Sequence, residues 1–153
     1  MQVDKAAALR RCPLFDMLSD AELDVLAELS RPRRFAPGEV VFAQGDAGDA
    51  LFVLESGNVE VTTRAPDGAP DAPLAVIQAP ASFGEMSLVD REVRSATVRA
   101  RTECVALQLT AENFTAFRKR SRDGFTLFLV NVARVLSGRL RETNVKLAGR
   151  ARP

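Results

Sequence analysis

Glycine, proline and asparagine interrupt the centre of the chain at short intervals, and this punctuation constrains the fold more than any other feature. Between the breaks lie short runs of β-branched and aromatic residues, as in GEVVFAQGDAGDALFVLESGNVEV, residues 38–61. The runs cover residues 40–42, 51–54, 59–62, 74–77, 95–98 and 105–109. Short strands separated by turn residues are typical of a small barrel or jelly roll, so we expect an antiparallel β-roll.

Several of the breaks predict specific turns. Residues 35–38 and 44–48 contain glycines that tolerate a positive φ angle, so each is expected to reverse the chain. The Ser-Gly-Asn sequence at residues 56–58 predicts a hairpin turn between two paired strands. Residues 65–73 are rich in Pro, Gly and Asp, and we expect an exposed hairpin tip there.

Helical periodicity replaces the strand pattern on both sides of this region. In residues 14–30, Ser19 followed by Glu22 matches a capping box, and leucines recur at helical spacing after it. We therefore predict a short helix there, preceded by a helical turn at residues 13–18. Another helix is predicted for residues 110–117.

A longer helix is predicted for residues 123–147. Its apolar stripe is wide enough for two surfaces, one against the barrel and one against a partner, and consists of Phe125, Phe128, Leu129, Val132, Val135, Leu136, Leu140, Thr143 and Leu147. Gly138 interrupts it at a cost of about 1 kcal/mol relative to alanine. Either another backbone packs closely there or the glycine is a tolerated surface residue. The expected fold class is α+β: an antiparallel, jelly-roll-like β-roll flanked by an N-terminal helix and C-terminal helices, the last one long.

Composition limits the kinds of function that the chain can have. A net charge of +1 over 153 residues gives no strong field for nucleic acid or an acidic membrane. Histidine is absent, so we predict no enzymatic activity, no catalytic residues and no metal site. Cys12 and Cys104 match no metal or redox spacing and are expected to be free thiols of a cytoplasmic protein. The sequence contains neither a secretory signal nor a long apolar run.

The stretch FGEMSLVDREVRSATV, residues 83–98, combines a glutamate and an arginine with small and hydroxyl-bearing neighbours. A packed core does not require these residue types, whereas a site for an anionic sugar would use them. The alternative is a structural ion pair between Glu85 and Arg94 at a corner of the barrel. Residues 90–92 are expected to form a solvated turn inside this stretch.

Residues 38–61 and 83–98 together resemble the cyclic nucleotide-binding domain family, which includes the ligand-binding halves of the catabolite activator proteins and the regulatory subunits of cyclic-AMP-dependent kinase. The first stretch is similar to the glycine-punctuated hairpins of that family, and the second to its phosphate-binding cassette. The resemblance covers residues 14–144. We therefore expect a single domain, residues 1–153, with its core at residues 14–147 and no separate output domain.

The resemblance implies that the second stretch binds the phosphate of a cyclic nucleotide. Arg94 would donate charge-assisted hydrogen bonds to the phosphate, and Ser95 would add a hydroxyl or backbone donor. If Met86 and Ser87 open a short helix, their backbone N–H groups would point at the same anion.

The remaining ligand groups are the ribose and the base. Glu85 would accept a hydrogen bond from the ribose 2′-hydroxyl, with Gly84 allowing close approach of the backbone. In the family's bacterial activators the long C-terminal helix caps the adenine and forms the dimer seam, and residues 139–147 resemble that helix. By this resemblance Thr143 would contact the base of its own chain's ligand, and Asn144 the ligand bound by the partner chain. The alternative is that Thr143 is a tolerated stripe residue and Asn144 is exposed.

These features predict a stand-alone sensor of cyclic AMP, a homodimer through its C-terminal helix, that regulates an unknown protein effector in trans. Cyclic GMP is the rival ligand, although family members preferring it often have Thr directly after the cassette arginine, where this chain has Ser95. No helix-turn-helix follows residue 147, so no direct DNA binding is expected, and no membrane partner is expected either. A ligand-free adaptor of the same fold and the sensory domain of a longer regulator remain alternatives.

Overall fold

Two antiparallel four-stranded sheets form the centre of the protein, with helices before and after them. The structure, a computed structural model, describes residues 3–65, 67, 69 and 71–151. Its strands are β1 (Arg31–Phe35), β2 (Val40–Phe42), β3 (Ala50–Ser56), β4 (Asn58–Thr63), β5 (Ala72–Gln78), β6 (Ala81–Phe83), β7 (Thr97–Ala100) and β8 (Cys104–Thr110). The first sheet has the order β1-β8-β3-β6 and the second the order β2-β7-β4-β5.

The helices are segregated to the two ends of the chain, apart from one short helix in the middle. They are α1 (Lys5–Arg10), α2 (Asp20–Leu29), α3 (Glu85–Asp90), α4 (Ala111–Arg120) and α5 (Arg122–Ala151), with a 3-10 turn at Pro13–Phe15. This architecture confirms the predicted α+β fold class, a β-roll flanked by helices with the last one long.

Alternation along the strands divides the core into two layers. Between the sheets, Phe52 and Phe83 stack with ring centroids 5.4 Å apart, and Val59 and Val98 contribute from the second sheet. On the outer face of the first sheet, alternate residues such as Leu51 pack under the helices. Because successive side chains of a strand point to opposite faces, β3 is apolar on both sides and holds the two layers together.

The predicted helix starts are confirmed by their caps. Ser19 Oγ accepts from the Glu22 N–H at 3.2 Å, and Glu22 Oε1 accepts from the Ser19 N–H at 2.9 Å. Thr110 and Asn113 form the same reciprocal pair at the start of α4. The helix α1 was not predicted.

The predicted hairpin at residues 56–58 is wrong. β3 and β4 do not pair with each other, because the chain crosses there from the first sheet to the second. Gly57 has a φ of 87°, and a Cβ on it would lie 2.3 Å from the carbonyl oxygen of Glu103, so the glycine permits a tight crossing that resembles a hairpin in sequence.

The predicted hairpin between residues 65 and 73 is confirmed by the pairing of β4 with β5, in which Thr63 faces Ala72. Residues 66, 68 and 70 of its tip lie outside the described residues. Two further strands, β1 and β6, were not predicted. β1 has the sequence RPRRF and pairs in register with β8.

The long helix α5 changes character along its length. Phe128 and Val132 are buried, and Asn131 donates hydrogen bonds to the carbonyl oxygens of Leu14 and Asp16. Farther along, Leu140 is 61% exposed, and no atom lies within 4 Å of a Cβ built on Gly138. Neither α5 nor another helix in the described ranges combines the length and apolarity needed to span a membrane.

Glu22 also connects the start of α2 to the start of α5. The Ser121 hydroxyl donates to Glu22 Oε2 at 2.6 Å and accepts from the Gly124 N–H at 3.1 Å. The Ser121 hydrogen bond, followed by that from the Ser19 backbone, lowers the pKa of Glu22 below the ordinary carboxyl value. The charged form of Glu22 therefore stabilises the fold.

We expect Glu22→Gln to be less stable than the wild type near neutral pH, by up to about 1 kcal/mol because the group is partly exposed. A lowered folded-state pKa contributes stability above the unfolded pKa, and this contribution is lost as pH falls through the folded pKa. Urea unfolding of both proteins at neutral and acidic pH measures the difference, which should shrink on acidification. A difference independent of pH would contradict this account.

Candidate functional site

The residues predicted to bind phosphate lie in a segment between β6 and β7, residues 83–95, which we call the cassette. β6 places Phe83 against Phe52 of β3, and the chain then turns into α3 through Gly84. Gly84 has a φ of 87°, and a Cβ there would lie 2.9 Å from Arg94 Nη1 and 3.0 Å from the carbonyl oxygen of Ala50. This position therefore requires glycine both for its backbone angle and for space.

Arg94 is buried, at 4% exposure, and fixes the cassette to the first sheet. Its Nη1 donates to the carbonyl oxygen of Gly84 at 2.9 Å, and its Nη2 donates to that of Ala50 at 2.6 Å. The guanidinium carbon lies 3.9 Å from the centre of the Phe42 ring, a cation–π contact. Arg94 Nε has no hydrogen-bond partner among the described residues.

Burial lowers the pKa of the Arg94 guanidinium, and the carboxylates of Asp49, Asp46 and Glu85 partly oppose this effect. Arginine stays charged in proteins, so the cassette contains a buried cation with an unused donor. A buried charge without a charged partner in direct contact is unfavourable unless other groups compensate it. An anionic ligand would provide that compensation.

The loop between β2 and β3 fixes the other side of the cassette. The Arg94 N–H donates to the Asp46 carbonyl oxygen at 2.8 Å, and the Gly45 N–H donates to the Arg94 carbonyl oxygen at 2.9 Å. A Cβ on Gly48 would lie 2.0 Å from the Cβ of Ser87 and 3.2 Å from the carbonyl oxygen of Glu92. The loop and α3 are therefore in direct backbone-to-side-chain contact.

Glu85 is the second buried charge of the cassette, at 2% exposure. It does not pair with Arg94. Its Oε1 accepts from Arg139 Nη1 of α5, and Arg139 Nη2 also donates to the Ser82 carbonyl oxygen at 3.4 Å. The other carboxylate oxygen, Oε2, has no hydrogen-bond partner among the described residues. The ion pair expected as the alternative to a ligand site is therefore replaced by two separate buried charges, each with one unused polar atom.

A cavity of about 150 Å³ brings these groups together. Its apolar wall comes from both sheets and consists of Phe42, Val61, Ile77, Phe83, Ala96 and Val98. Its remaining lining contains the six cassette residues singled out from the sequence, Gly84, Glu85, Met86, Ser87, Arg94 and Ser95, together with Arg139. Of the six, Glu85, Ser87 and Arg94 are buried, while Met86 and Ser95 are exposed.

The two candidate residues of α5, Thr143 and Asn144, do not line this cavity. Both are exposed, and the Thr143 hydroxyl donates to the carbonyl oxygen of Arg139 at 3.0 Å. Arg139 itself, one turn earlier, reaches the cavity and was missed as a site residue. Its position four residues before Thr143, on the same helix face, was the available signal.

The two cysteines lie outside the lining of the cassette cavity. Both are buried and free, and burial raises the pKa of Cys12 to about 11 and raises that of Cys104. Thiols that remain protonated are poor nucleophiles and poor metal ligands. Within residues 3–65, 67, 69 and 71–151, no group of His, Cys, Asp and Glu side chains is arranged to hold a metal ion.

Comparison with known proteins identifies the family. The sequence model of the cyclic nucleotide-binding domain matches residues 32–121. The chain is 34% identical to the cyclic AMP receptor protein of Thermus thermophilus over 139 residues, 91% of this chain and 62% of that protein. It therefore belongs to the cyclic nucleotide-binding domain family. The chain spans less than two thirds of the length of the first curated relatives that it matches.

Solved structures agree with this assignment. The crystal structure of the Thermus thermophilus catabolite activator protein superposes with a TM-score of 0.77 at 34% identity, covering 89% of this chain and 62% of that one. The regulatory domain of Toxoplasma gondii PKA, crystallised with cAMP, gives a TM-score of 0.71 at 26% identity, with 84% and 48% coverage. Both structures share the fold of this chain.

We expect Gly48→Ala to distort the cassette, because the new methyl group would overlap the Cβ of Ser87, which moves only with α3. Overpacking of this kind costs about 1–3 kcal/mol, which thermal unfolding would detect. Gly149→Ala is the matched control, because nothing lies within 4 Å of its Cβ position in α5. Equal stability of the two variants would show that the loop does not support α3 as described.

Proposed function

We propose that the cassette cavity binds cyclic AMP and that the chain acts as a sensor of this nucleotide. The observation that carries the proposal is the pair of buried, unpartnered polar atoms in the cavity lining, Arg94 Nε and Glu85 Oε2. One is a donor on a cation and the other an acceptor on an anion. A cyclic nucleotide offers the complementary groups, a phosphodiester charge and a ribose 2′-hydroxyl.

In the proposed complex Arg94 binds the phosphate. Two of its five N–H groups already donate to the carbonyl oxygens of Gly84 and Ala50, so three remain for the ligand. Ser95 and the backbone N–H groups of Met86 and Ser87 add neutral donors at the start of α3. Phosphate and guanidinium would then neutralise each other inside the domain.

The ribose binds at Glu85, which is already oriented by Arg139. Because Arg139 holds Oε1, the free Oε2 accepts from the 2′-hydroxyl, and Gly84 lets the ligand approach the backbone. A 2′-deoxy ligand would leave this buried oxygen without a partner. Two observations favour adenine as the base, and therefore cyclic AMP over cyclic GMP. Ser95 follows the cassette arginine, and two of the similar proteins are named or crystallised with cyclic AMP.

Ligand binding is proposed to move α5. The cavity of about 150 Å³ is smaller than the usual ligand pocket of about 300–1,000 Å³, so an element of its wall has to shift. Arg139 is the α5 residue in that wall, and its bond to Glu85 links the ligand site directly to the helix. The movement would pass the signal to a protein effector in trans, with this single domain as the sensing unit.

The distal part of α5 is proposed to form a homodimer. Leu140, Val145 and Leu147 are 61%, 73% and 55% exposed. This much exposed apolar surface on a single helix is unfavourable in water and fits an interface, or seam, with a second copy of the chain. In such a dimer Thr143 would turn to the base of its own ligand, and Asn144 would reach the ligand of the partner chain. This arrangement would supply the base contacts that the cassette lacks.

We expect Glu85→Ala to abolish the preference for a ribose hydroxyl. Wild-type protein should bind cyclic AMP more tightly than 2′-deoxy cyclic AMP by about 1–3 kcal/mol, because the deoxy ligand leaves Glu85 Oε2 unpaired. In Glu85→Ala the two ligands should bind equally. Calorimetric titration of both proteins with both ligands gives the coupling energy.

Glu92→Ala removes an exposed acid of the same cassette and is the matched control, which should keep the wild-type preference. Cyclic GMP is titrated in parallel, and tighter binding of it would overturn the choice of cyclic AMP. An absence of heat with either nucleotide at millimolar concentration would reject the proposed function.

We also expect Leu140→Glu to dissociate the dimer, because it places a charge in the apolar seam. Sedimentation velocity should show a shift from dimer to monomer. Leu74→Glu is the matched control, since Leu74 on β5 is 60% exposed and lies outside α5. A wild-type protein that is monomeric with and without cyclic AMP would refute the seam and the partner role of Asn144.

A further inference from the structure

A second cavity lies apart from the cassette cavity, along α4 and on another side of α3. This helical groove has a volume of about 540 Å³, within the usual range of small-molecule sites. Its walls are formed by α3 with its following turn, by α4 and by the start of α5. The apolar lining consists of Leu88, Val89, Val93, Phe114, Phe125, Phe128 and Leu129.

One face of α4 forms the length of the groove. Ala111, Phe114, Thr115 and Arg118 line it. Spacings of three and four residues, from 111 to 114 and 115 and from these to 118, place them on one helix face. From Ala111 to Arg118 the helix rises roughly 10 Å. The floor is closely packed, because the rings of Phe114 and Phe128 stack with centroids 4.5 Å apart.

Three apolar side chains of the groove lining are accessible to solvent. Val89 is 54% exposed, Val93 is 57% exposed and Leu129 is 44% exposed, on the two opposite walls. Exposed apolar side chains facing each other across a cavity with an apolar floor are unfavourable in water. An apolar chain lying between them would remove this exposure.

The two ends of the groove differ in charge. At the far end of α4, Arg118 and Phe125 also line an open depression that contains Lys119 and Arg122. These three cations form no ion pair within the described part of the chain. The end near Ala111 is less charged, because Arg91 offsets part of the charge of Asp49 and Glu92.

We propose that the helical groove is a second ligand site, for an amphiphilic carboxylate such as a medium-chain fatty acid. The carboxylate binds at Arg118, with Lys119 and Arg122 adding positive potential, and the alkyl chain lies along α4 over Phe114 and Phe128. The apolar walls select the alkyl chain, and the positive charge at one end of the groove selects the carboxylate. The site does not depend on the nucleotide site for its chemistry.

Decanoate is the probe, titrated by calorimetry into the full chain below the concentration at which it forms micelles. Saturable binding with a stoichiometry of one per chain is expected. Decyltrimethylammonium has the same tail with the opposite head charge and should bind at least about tenfold more weakly. Binding of the cation as tightly as decanoate, or no saturable binding of decanoate, would overturn the proposal.

Variants separate the site from general surface adsorption. Arg118→Glu and Leu129→Gln should each weaken decanoate binding by roughly tenfold. The matched controls, Arg141→Glu and Val130→Gln, change exposed residues of α5 outside the groove lining and should bind decanoate as the wild type does. Thermal unfolding checks that each variant is folded. If both groove variants keep wild-type affinity, the groove is not the site.

Discussion

The burial of one guanidinium determines the architecture of the candidate site. Arg94 bridges the carbonyl oxygens of Gly84 and Ala50 and lies against the ring of Phe42, so a single side chain connects the cassette to both sheets. Hydrogen bonds from a charged donor to carbonyl oxygens contribute about 1.5–3 kcal/mol each, which partly offsets the cost of burying the charge. Because Nε has no hydrogen-bond partner among the described residues, the arrangement is a candidate site as well as a structural support.

Glu85 extends this arrangement from the sheets to the last helix. Its carboxylate is as deeply buried as the guanidinium of Arg94, yet it pairs with Arg139 of α5 instead. Each buried charge is therefore fixed by a different part of the molecule, and each keeps one unused polar atom. A ligand bridging the two charges would contact the sheet and α5 at once, which gives a physical route from binding to helix position.

The sequence was informative wherever local chemistry decides the structure. The capping pair Ser19 and Glu22 and the arginine and glutamate of the cassette were predicted because their residue types and spacing have few other uses. It was misleading at Gly57, since a glycine turn looks the same whether the chain returns along one sheet or crosses to another. That choice depends on long-range pairing, which local patterns do not contain.

The same limit explains why Arg139 was missed while Thr143 was selected. A helix stripe identifies which residues share a face, but it does not show how far along the helix that face is covered by the rest of the domain. In the structure, α5 is already exposed at Thr143. Among the residues that the structure describes, Arg139 is the last of α5 with a hydrogen bond to another element, through Glu85 and Ser82. Residues 140–150 of α5 are all exposed, so base recognition through Thr143 would require either a helix movement or a second chain. Under the proposed function, α5 rather than the barrel would then be the element whose position reports the ligand.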